Sequence, residues 1–401
     1  MKKVISSEKR PIKLWLDDIE DTAWKQARNL ANLPFTYRHV AIMADAHAGY
    51  GMPIGGVLAC EGVVIPNAVG VDIGCGMCAV QTSLKNIDRN TLKRILGSEK
   101  SGEGIRALIP TGFRHHKEAC DAALMPDPAR LDSVKKSVVR EQFLSGRKQL
   151  GTLGGGNHFI EIQQGDDGYI WLMIHSGSRN IGLKVAKQYN QLACRMNEQW
   201  HSAVPPKWQL AFFPLDSRQA EDYLAEMRYC VDFALANRTL MMERLKHAVR
   251  TAVHAFTDEE VRFMRFINIA HNYAAMEHHF CRDVMVHRKG ATRARLSEYG
   301  VIPGSQGSRS FIVRGKGNTD SFSSCSHGAG RILGRKQAQR TLDLDQEQKR
   351  LDELGVLHGL RGKHDLDEAA GAYKDIEAVM ANQVDLVEIE VTLTPLAVIK
   401  G

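Results

Sequence analysis

Residues 69–78 read VGVDIGCGMC. An apolar, strand-like run opens here into a glycine turn that carries Asp72 and Cys75, so a carboxylate and a thiol sit three residues apart. Both could reach one ion. Cys75 and Cys78 form a C-x-x-C pair, but the chain has no second such pair to complete a zinc ribbon. The pair also does not open a helix in an evident βαβ unit, which argues against a thioredoxin-type site.

Outward from this turn, glycine marks the informative segments. The 35 glycines cluster at Gly49–Gly76, at Gly151–Gly156 (GTLGGG) and between Gly300 and Gly330, where the backbone must turn tightly or approach a ligand. Short apolar runs at Tyr169–Ile174, Phe311–Val313 and Val387–Leu393 read as strands feeding glycine loops. From Gln219 to Phe256, apolar residues such as Leu224, Met227, Val231 and Leu235 recur at helical spacing, predicting one long or two consecutive amphipathic helices. The charged stretch from Arg340 to Asp367 reads as an exposed helix and connector. No linker, repeat or composition break divides the chain, so one interleaved α+β domain is expected over 1–401.

Hydrophobic residues at 43% and charged residues at 25% exclude a disordered or membrane-embedded chain. A net charge of +7 is compatible with a polyanionic partner without requiring one. Cysteines 60, 75, 78, 120, 194, 230, 281 and 325 are scattered, which fits reduced thiols or metal ligands better than a disulfide framework. The N-terminal MKKVISSEKRPIKLWL lacks the features of a secretion signal, and the expected location is cytoplasmic.

Three histidines occupy turn-rich or strand-like settings: His158 in GGGNHFIEI, His175 in IHSGSRNIG and His271 in NIAHNYAA. A single histidine of this kind is most often structural; with Asp72 and Cys75 the three make a plausible five-ligand set for divalent ions. In SCSHGAGR (324–331), small residues flank His327 and leave room for a phosphate to approach the imidazole. PGSQGSRS (303–310) and GKGN (315–318) offer amides, hydroxyls and cations to a polyphosphate. The chain has no phosphate loop of the G-x-x-x-x-G-K-[ST] type, no H-E-x-x-H and no Lys-x-Asp-Gly. Lysine is then not the expected anchor for a nucleotide attached here, and histidine can serve instead, because a neutral imidazole nitrogen can attack phosphorus.

These residues carry a resemblance. The chain resembles the RtcB family of GTP-dependent RNA-splicing ligases over nearly its whole length. The match runs through DAHAGYGMPIGG (45–56), VGVDIGCGM (69–77), GTLGGGNHFIEI (151–162), HSGSRNIG (175–182) and HNYA (271–274), and on through RKGATRA, IPGSQGSRSFIVRG, SCSHGAGR, AYKDIEAVM and the final Lys400-Gly401. The fold it implies is a single large α+β domain with central β-sheets, glycine-rich active-site loops and peripheral helices.

The activity it implies joins RNA ending in a 2′,3′-cyclic phosphate or 3′-phosphate to RNA beginning with a 5′-hydroxyl, using GTP and two manganese ions, in RNA repair or tRNA splicing. By motif position, Asp72, Cys75 and His158 would hold one ion, and Cys75, His175 and His271 the other. His327 would take GMP. Asn157, His158, Phe159, Ile160, Glu161, His271, Asn272, Pro303, Gly304, Ser305, Gln306, Ser310, Gly328, Ala329, Gly330 and Lys400 would line the nucleotide site, with Glu161 and Lys400 on the guanine. Arg179, Lys289 and Arg331 resemble the family's phosphate-handling cations. Gln306 stands where many relatives carry methionine, and Cys78 is an extra thiol beside the bridge. A thiolate among imidazoles would suggest zinc by softness, and manganese follows from the resemblance alone. The expected protein is a monomer with no membrane association; an activating protein partner and the identity of the RNA are left open. Two alternatives share these residues: a dimetal phosphoesterase that opens RNA ends without joining them, and a noncatalytic RNA-binding protein.

Overall fold

The computed structural model describes residues 1–98, 102–258 and 260–401. It is a mixed α and β structure in which two large sheets meet at the glycine-rich segments. Seven strands form a fully antiparallel sheet in the order Phe263–Ala270, Gly76–Thr82, Ile170–Ser176, Phe159–Gly165, Val387–Lys400, Ser310–Gly315 and Tyr299–Ile302. The sheet curls so that its outer strands approach: the Arg265 guanidinium from one edge lies 4.5 Å from the Tyr299 ring centroid on the other. Proline is tolerated inside the long strand Val387–Lys400 because Pro395 borders a register shift, where a ladder donor is dispensable.

The second sheet has six strands in the order Lys3–Ile5, Ile12–Leu14, Thr36–His47, Ile54–Cys60, Arg282–Lys289 and Asn272–His279. Only the pair Ile12–Leu14 and Thr36–His47 is parallel. The chain crosses between the two sheets three times, and the second crossing takes a single residue, His271, between the strands ending at Ala270 and beginning at Asn272.

The expected helical segment forms one helix, Arg218–His254, of 37 residues and hence about 55 Å long. Ser217 caps it through its hydroxyl and Ala220 N, and no proline interrupts it. Its buried stripe includes Tyr223, Met227, Cys230, Ala234, Met241 and Leu245, and it packs across the outer face of the seven-stranded sheet against Cys78, Leu172 and Ile174. Each such large apolar side chain contributes about 1.5–3 kcal/mol by leaving water. The expected strands extend over Ile170–Ser176, Ser310–Gly315 and Val387–Lys400, longer than their apolar cores because ladder pairing recruits polar residues at the ends. The charged stretch resolves into short helices Arg335–Thr341 and Leu344–Glu353 and a 3-10 segment Lys363–Glu368. All eight cysteines are free, and no helix among the described residues is long and apolar enough to cross a membrane.

Candidate active site

Antiparallel pairing delivers the candidate ligands to one end of the seven-stranded sheet. Strand Gly76–Thr82 starts there, just after Asp72 and Cys75; Ile170–Ser176 ends there with His175; Phe159–Gly165 starts there, after His158; and Phe263–Ala270 ends there, before His271. The registers fix the alignment: Met77 pairs with His175, and His175 pairs with Phe159. Gly177 makes room for the carboxylate, because a side chain at that position would collide with Asp72.

The donor atoms converge. Cys75 Sγ lies 3.4 Å from His158 Nε2 and 3.3 Å from His175 Nε2. His175 Nε2 lies 3.4 Å from His271 Nε2, and His158 Nε2 lies 3.1 Å from Asp72 Oδ2. Two overlapping sets result, Asp72, Cys75 and His158, and Cys75, His175 and His271, sharing the cysteine. The shorter contacts of the far nitrogens set the tautomers: His158 Nδ1 donates to Leu153 O and His175 Nδ1 to Asn157 O, each at 3.0 Å, the Arg179 guanidinium standing farther from His158 Nδ1 at 3.4 Å. Carbonyls only accept, so both Nε2 atoms present lone pairs. Lone pairs gathered in a buried site repel unless a cation sits among them, and this donor set suits a divalent metal. Burial, with Asp72 beside it, pushes the Cys75 thiol well up, and burial pushes His175 and His271 well below the usual imidazole value.

Behind the ligands, two neighbours on the long helix brace the turns. Asn237 accepts from Gly151 N at 2.7 Å and donates to Thr152 O and Gly177 O, each at 3.2 Å. Arg238, fully buried, donates to Gly74 O at 2.9 Å, Ser176 O at 2.8 Å and Asn268 Oδ1 at 2.8 Å.

His327 reaches the same cavity from the other side. Its strand, Ser324–Ser326, pairs with Ala291–Arg293, and its ring lies 4.8 Å from that of His271, edge on. Asp45, at the end of Thr36–His47 and completely buried, gathers three donors on one oxygen: His327 Nδ1 at 2.6 Å, His327 N at 3.0 Å and Gly328 N at 3.3 Å. Burial works to raise the Asp45 carboxyl, but the His327 ring beside it, aided by Lys374, outweighs burial and holds it below its ordinary value. The Nδ1 proton therefore belongs to the His327 ring, and Nε2 is the free nucleophilic nitrogen. Gly290, with φ +61°, passes the imidazole closely enough that a Cβ there would stand 3.0 Å from Cε1.

The cavity, about 860 Å³, is lined by all five candidate ligands and His327, and by Asn157, Phe159, Glu161, Asn272, Lys289, Pro303 to Gln306, Gly328 to Arg331 and Lys400. Glu161 is buried and pushed up to about 8 by that burial, against the downward pull of Lys400 and Gln163. The Lys400 ammonium lies 5.4 Å from the Phe159 ring centroid. Lys289 Nζ donates to Tyr50 O at 2.6 Å and Asn67 O at 3.1 Å, and burial lowers its ammonium to about 7. Asn272 spends its amide on the backbone, bonding Asp72 O at 3.0 Å and Gly290 N at 2.7 Å. Ser310 sits behind Gly304, bonded to its amide at 3.2 Å. Gln306 donates to Glu368 O at 2.8 Å, leaving its own buried Oε1 without a protein partner among the described residues.

Three residues sit differently from a simple phosphate or nucleotide contact. Ile160 packs into the core with Leu172 and Ile174, because its neighbours Phe159 and Glu161 take the opposite, cavity-facing side of the strand. Arg331 lines the cavity with its guanidinium held by Glu368 at 3.1 Å and Tyr373 Oη at 3.2 Å. Arg179 has φ +59° and extends toward Thr152 Oγ1, 3.3 Å from its Nε. Asp45, His47, Glu368 and Tyr373 also line or support the site without having been singled out from the sequence. The first two lie in DAHAGYG and Tyr373 in AYKDI, both quoted motifs; Glu368 borders a stretch that reads as solvated.

Comparison with known proteins agrees with this geometry. A family model described as tRNA-splicing ligase RtcB matches residues 26–401. The chain belongs to the RtcB family. It is 38% identical over 420 residues to the RNA-splicing ligase RtcB of Escherichia coli (strain K12), covering 99% of each chain. It is 32% identical over 464 residues to the tRNA-splicing ligase RtcB of Pyrobaculum aerophilum, covering 98% of this chain and 95% of the relative. An RtcB homologue of Entamoeba dispar is 30% identical over 444 residues, with 94% of this chain covered. The RtcB likeness thus extends over both sheets and every segment that lines the cavity.

Proposed function

We propose that this chain is an RNA ligase that joins a 3′-phosphate or 2′,3′-cyclic phosphate end to a 5′-hydroxyl end, with GTP as co-substrate and His327 as the carrier of GMP. The observation that supports this most is the alignment of His327: Asp45 holds its Nδ1 proton, and Nε2 is left free beside the ligand cluster. Asp72, Cys75 and His158 would hold one divalent ion and Cys75, His175 and His271 a second, manganese by family resemblance; such ions neutralise phosphate charge and supply Lewis acidity.

The chain's own groups divide the remaining tasks. His327 Nε2 attacks the α-phosphorus of GTP, the bond to pyrophosphate breaks, and Asp45 stabilises the positive charge the ring acquires. Glu161 and Lys400, which both line the cavity, bind the guanine. The RNA 3′-phosphate then takes GMP from His327, which converts a poor electrophile into one with a stable leaving group, and the 5′-hydroxyl displaces GMP. Arg331 offers cationic charge to the phosphates from the cavity wall, Arg179 and Lys289 hold the surrounding turns through Thr152, Tyr50 and Asn67, and the basic excess of the chain favours RNA backbones. We place the reaction in the cytoplasm, acting on RNA ends recognised by chemistry and shape.

Incubation with manganese and GTP labelled in the α-phosphate gives a covalent adduct in the wild type and none in His327→Ala. Absence of the adduct in the wild type would overturn the ligase reading. A phosphoesterase using the same ligands would turn over unchanged in His327→Ala.

A further inference from the structure

The cavity contains a second imidazole outside the metal-ligand sets, His47, at the end of strand Thr36–His47. Its Nδ1 lies 3.0 Å from Asp45 O. A carbonyl only accepts, so Nδ1 carries a proton and Nε2 carries the lone pair. Among the described residues Nε2 has no hydrogen-bond partner, and the half-buried ring lines the same cavity as His327.

The backbone under His47 is held at successive residues. Lys374 Nζ donates to Ala46 O at 2.6 Å, the Glu20 carboxylate accepts from Ala48 N, and Gln26 accepts from Gly49 N at 3.1 Å while donating to Gly49 O. The main chain is thus held and Nδ1 anchored, while the basic nitrogen of this cavity-lining ring is left without a protein partner among the described residues. That is the preorganisation expected of a group that handles substrate.

We propose that His47 is the proton acceptor for the attacking 5′-hydroxyl in the sealing step. This rests on the ligase reading and adds to it. Of the three transfers, the first uses an imidazole nitrogen that already has a lone pair, and the second uses a phosphate oxygen anion. Neither nucleophile must lose a proton. The third uses an alcohol, which must. In it, the 5′-oxygen forms a bond to the phosphorus of the RNA 3′-phosphate, and its proton passes to His47 Nε2. The bond from that phosphorus to the bridging oxygen breaks, and GMP leaves with that oxygen and the electron pair. The protonated ring then returns its proton to water. Burial holds His47 down at about 4, which keeps Nε2 unprotonated and ready, and the phosphate anions of bound substrate would raise it toward neutrality as the proton arrives.

The test separates the steps with one oligonucleotide bearing a 3′-phosphate and another bearing a 5′-hydroxyl. His47→Asn places an amide where Nδ1 stood, preserving the bond to Asp45 O while deleting Nε2. His47→Gln is the second variant in case the first does not fold. Both are expected to form the His327 adduct and the guanylated RNA 3′-end at wild-type rates. That guanylated intermediate should accumulate, with sealing slowed about 10²–10⁴-fold. Sealing within threefold of wild type in a folded variant would overturn the proposal, and so would loss of adduct formation, which would assign His47 to positioning His327. Failure of the wild type to form the adduct would instead sink the ligase reading itself.

Discussion

Asp45→Asn tests how much of the reactivity of His327 comes from a residue that touches no substrate. The change keeps the shape and removes the charge. In the wild type one carboxylate oxygen accepts from His327 Nδ1, His327 N and Gly328 N, and the other, Oδ1, is buried without a partner. The asparagine oxygen must take the three-donor position, which leaves its amide group buried at the unpartnered one. A hydrogen bond to a charged group is worth about 1.5–3 kcal/mol against about 0.5–1.5 for a neutral pair, so each bond weakens by about 1–1.5 kcal/mol. The Nδ1 bond strengthens as the ring becomes cationic during phosphoryl transfer, so its share falls on the barrier and costs about tenfold in rate. The two amide bonds hold the nucleophile in line, and loosening them adds roughly another factor of ten. Single-turnover formation of the labelled GMP adduct at saturating GTP should therefore slow by about 10²-fold, and the melting temperature should fall as well because the amide group is buried without a partner. A rate within threefold of wild type, in a folded variant, would refute the assignment of Asp45 as the group that orients and charges His327.

Cys75→Ala removes the only ligand common to both sets, so metal retained after gel filtration, measured by atomic emission, should fall in both sites together; full retention would dismiss the shared-thiolate arrangement. Glu161, raised to about 8, is protonated in the free protein at pH 7, whereas a guanine edge presents donors to a carboxylate. GTP binding should thus release a proton and tighten as pH rises toward 8; titration calorimetry in buffers of different ionisation enthalpy reads this, and Glu161→Gln should abolish it. Glu277 and Arg288 form a buried pair, Arg288 Nη1 lying 2.5 Å from Glu277 Oε1, and although burial opposes it, Arg288 with His279 holds the carboxyl far below its ordinary 4.5. Its stabilisation is fully present above 4.5 and drains away as pH falls below that value; Glu277→Gln should lose about 3 kcal/mol at pH 7 and show a flatter acid limb in urea melts. Arg238→Met strands the carbonyls of Gly74 and Ser176 and should cost about 3–5 kcal/mol, with looser metal binding; an unchanged melting temperature and metal affinity would show that these turns hold themselves.

The parts of this molecule that were legible in the sequence are those with a local signature. The apolar spacing of 219–256 marks a helix because one face of it is buried along its whole length, and the runs at 170–174 and 387–393 mark strands because a sheet buries them. His158, His175 and His271 stand out by residue type and glycine context. What spacing could not give is their convergence, which depends on strand order: Gly76–Thr82 lies between Ile170–Ser176 and Phe263–Ala270, pairings with strands that follow it by 90–100 and 181–194 residues. Asp45 and His47 escaped notice for a related reason. In a 12-residue strand, a carboxylate and an imidazole two positions apart read as ordinary alternation, and only the arrival of residues 327 and 374 from the far end of the chain gives them partners. Glu368 has no local signal at all, since its partners are brought to it from two other segments, Arg331 and Arg335 from one and Lys400 from the other.

That distribution has a mechanical consequence. The ligand end of the site belongs to the seven-stranded sheet, whereas Asp45, His47 and Lys289 belong to the six-stranded one, and His271 is the shortest of the three crossings the chain makes between them. His271 is at once a candidate ligand and the edge-on neighbour of the His327 ring, with its carbonyl accepting from Ala291 N at 3.2 Å in the strand that pairs with Ser324–Ser326. An ion held by His175 and His271 would therefore tie the two sheets together across the cavity, so that metal loading and the distance from nucleophile to metal are not independent quantities. The metal-free protein should then lose reactivity at His327 by more than the missing charge explains, because the imidazole would no longer be referenced to the ligands opposite it. His271→Asn, which weakens the ligand while leaving the backbone crossing intact, should reproduce that loss even when the first set, Asp72, Cys75 and His158, is loaded.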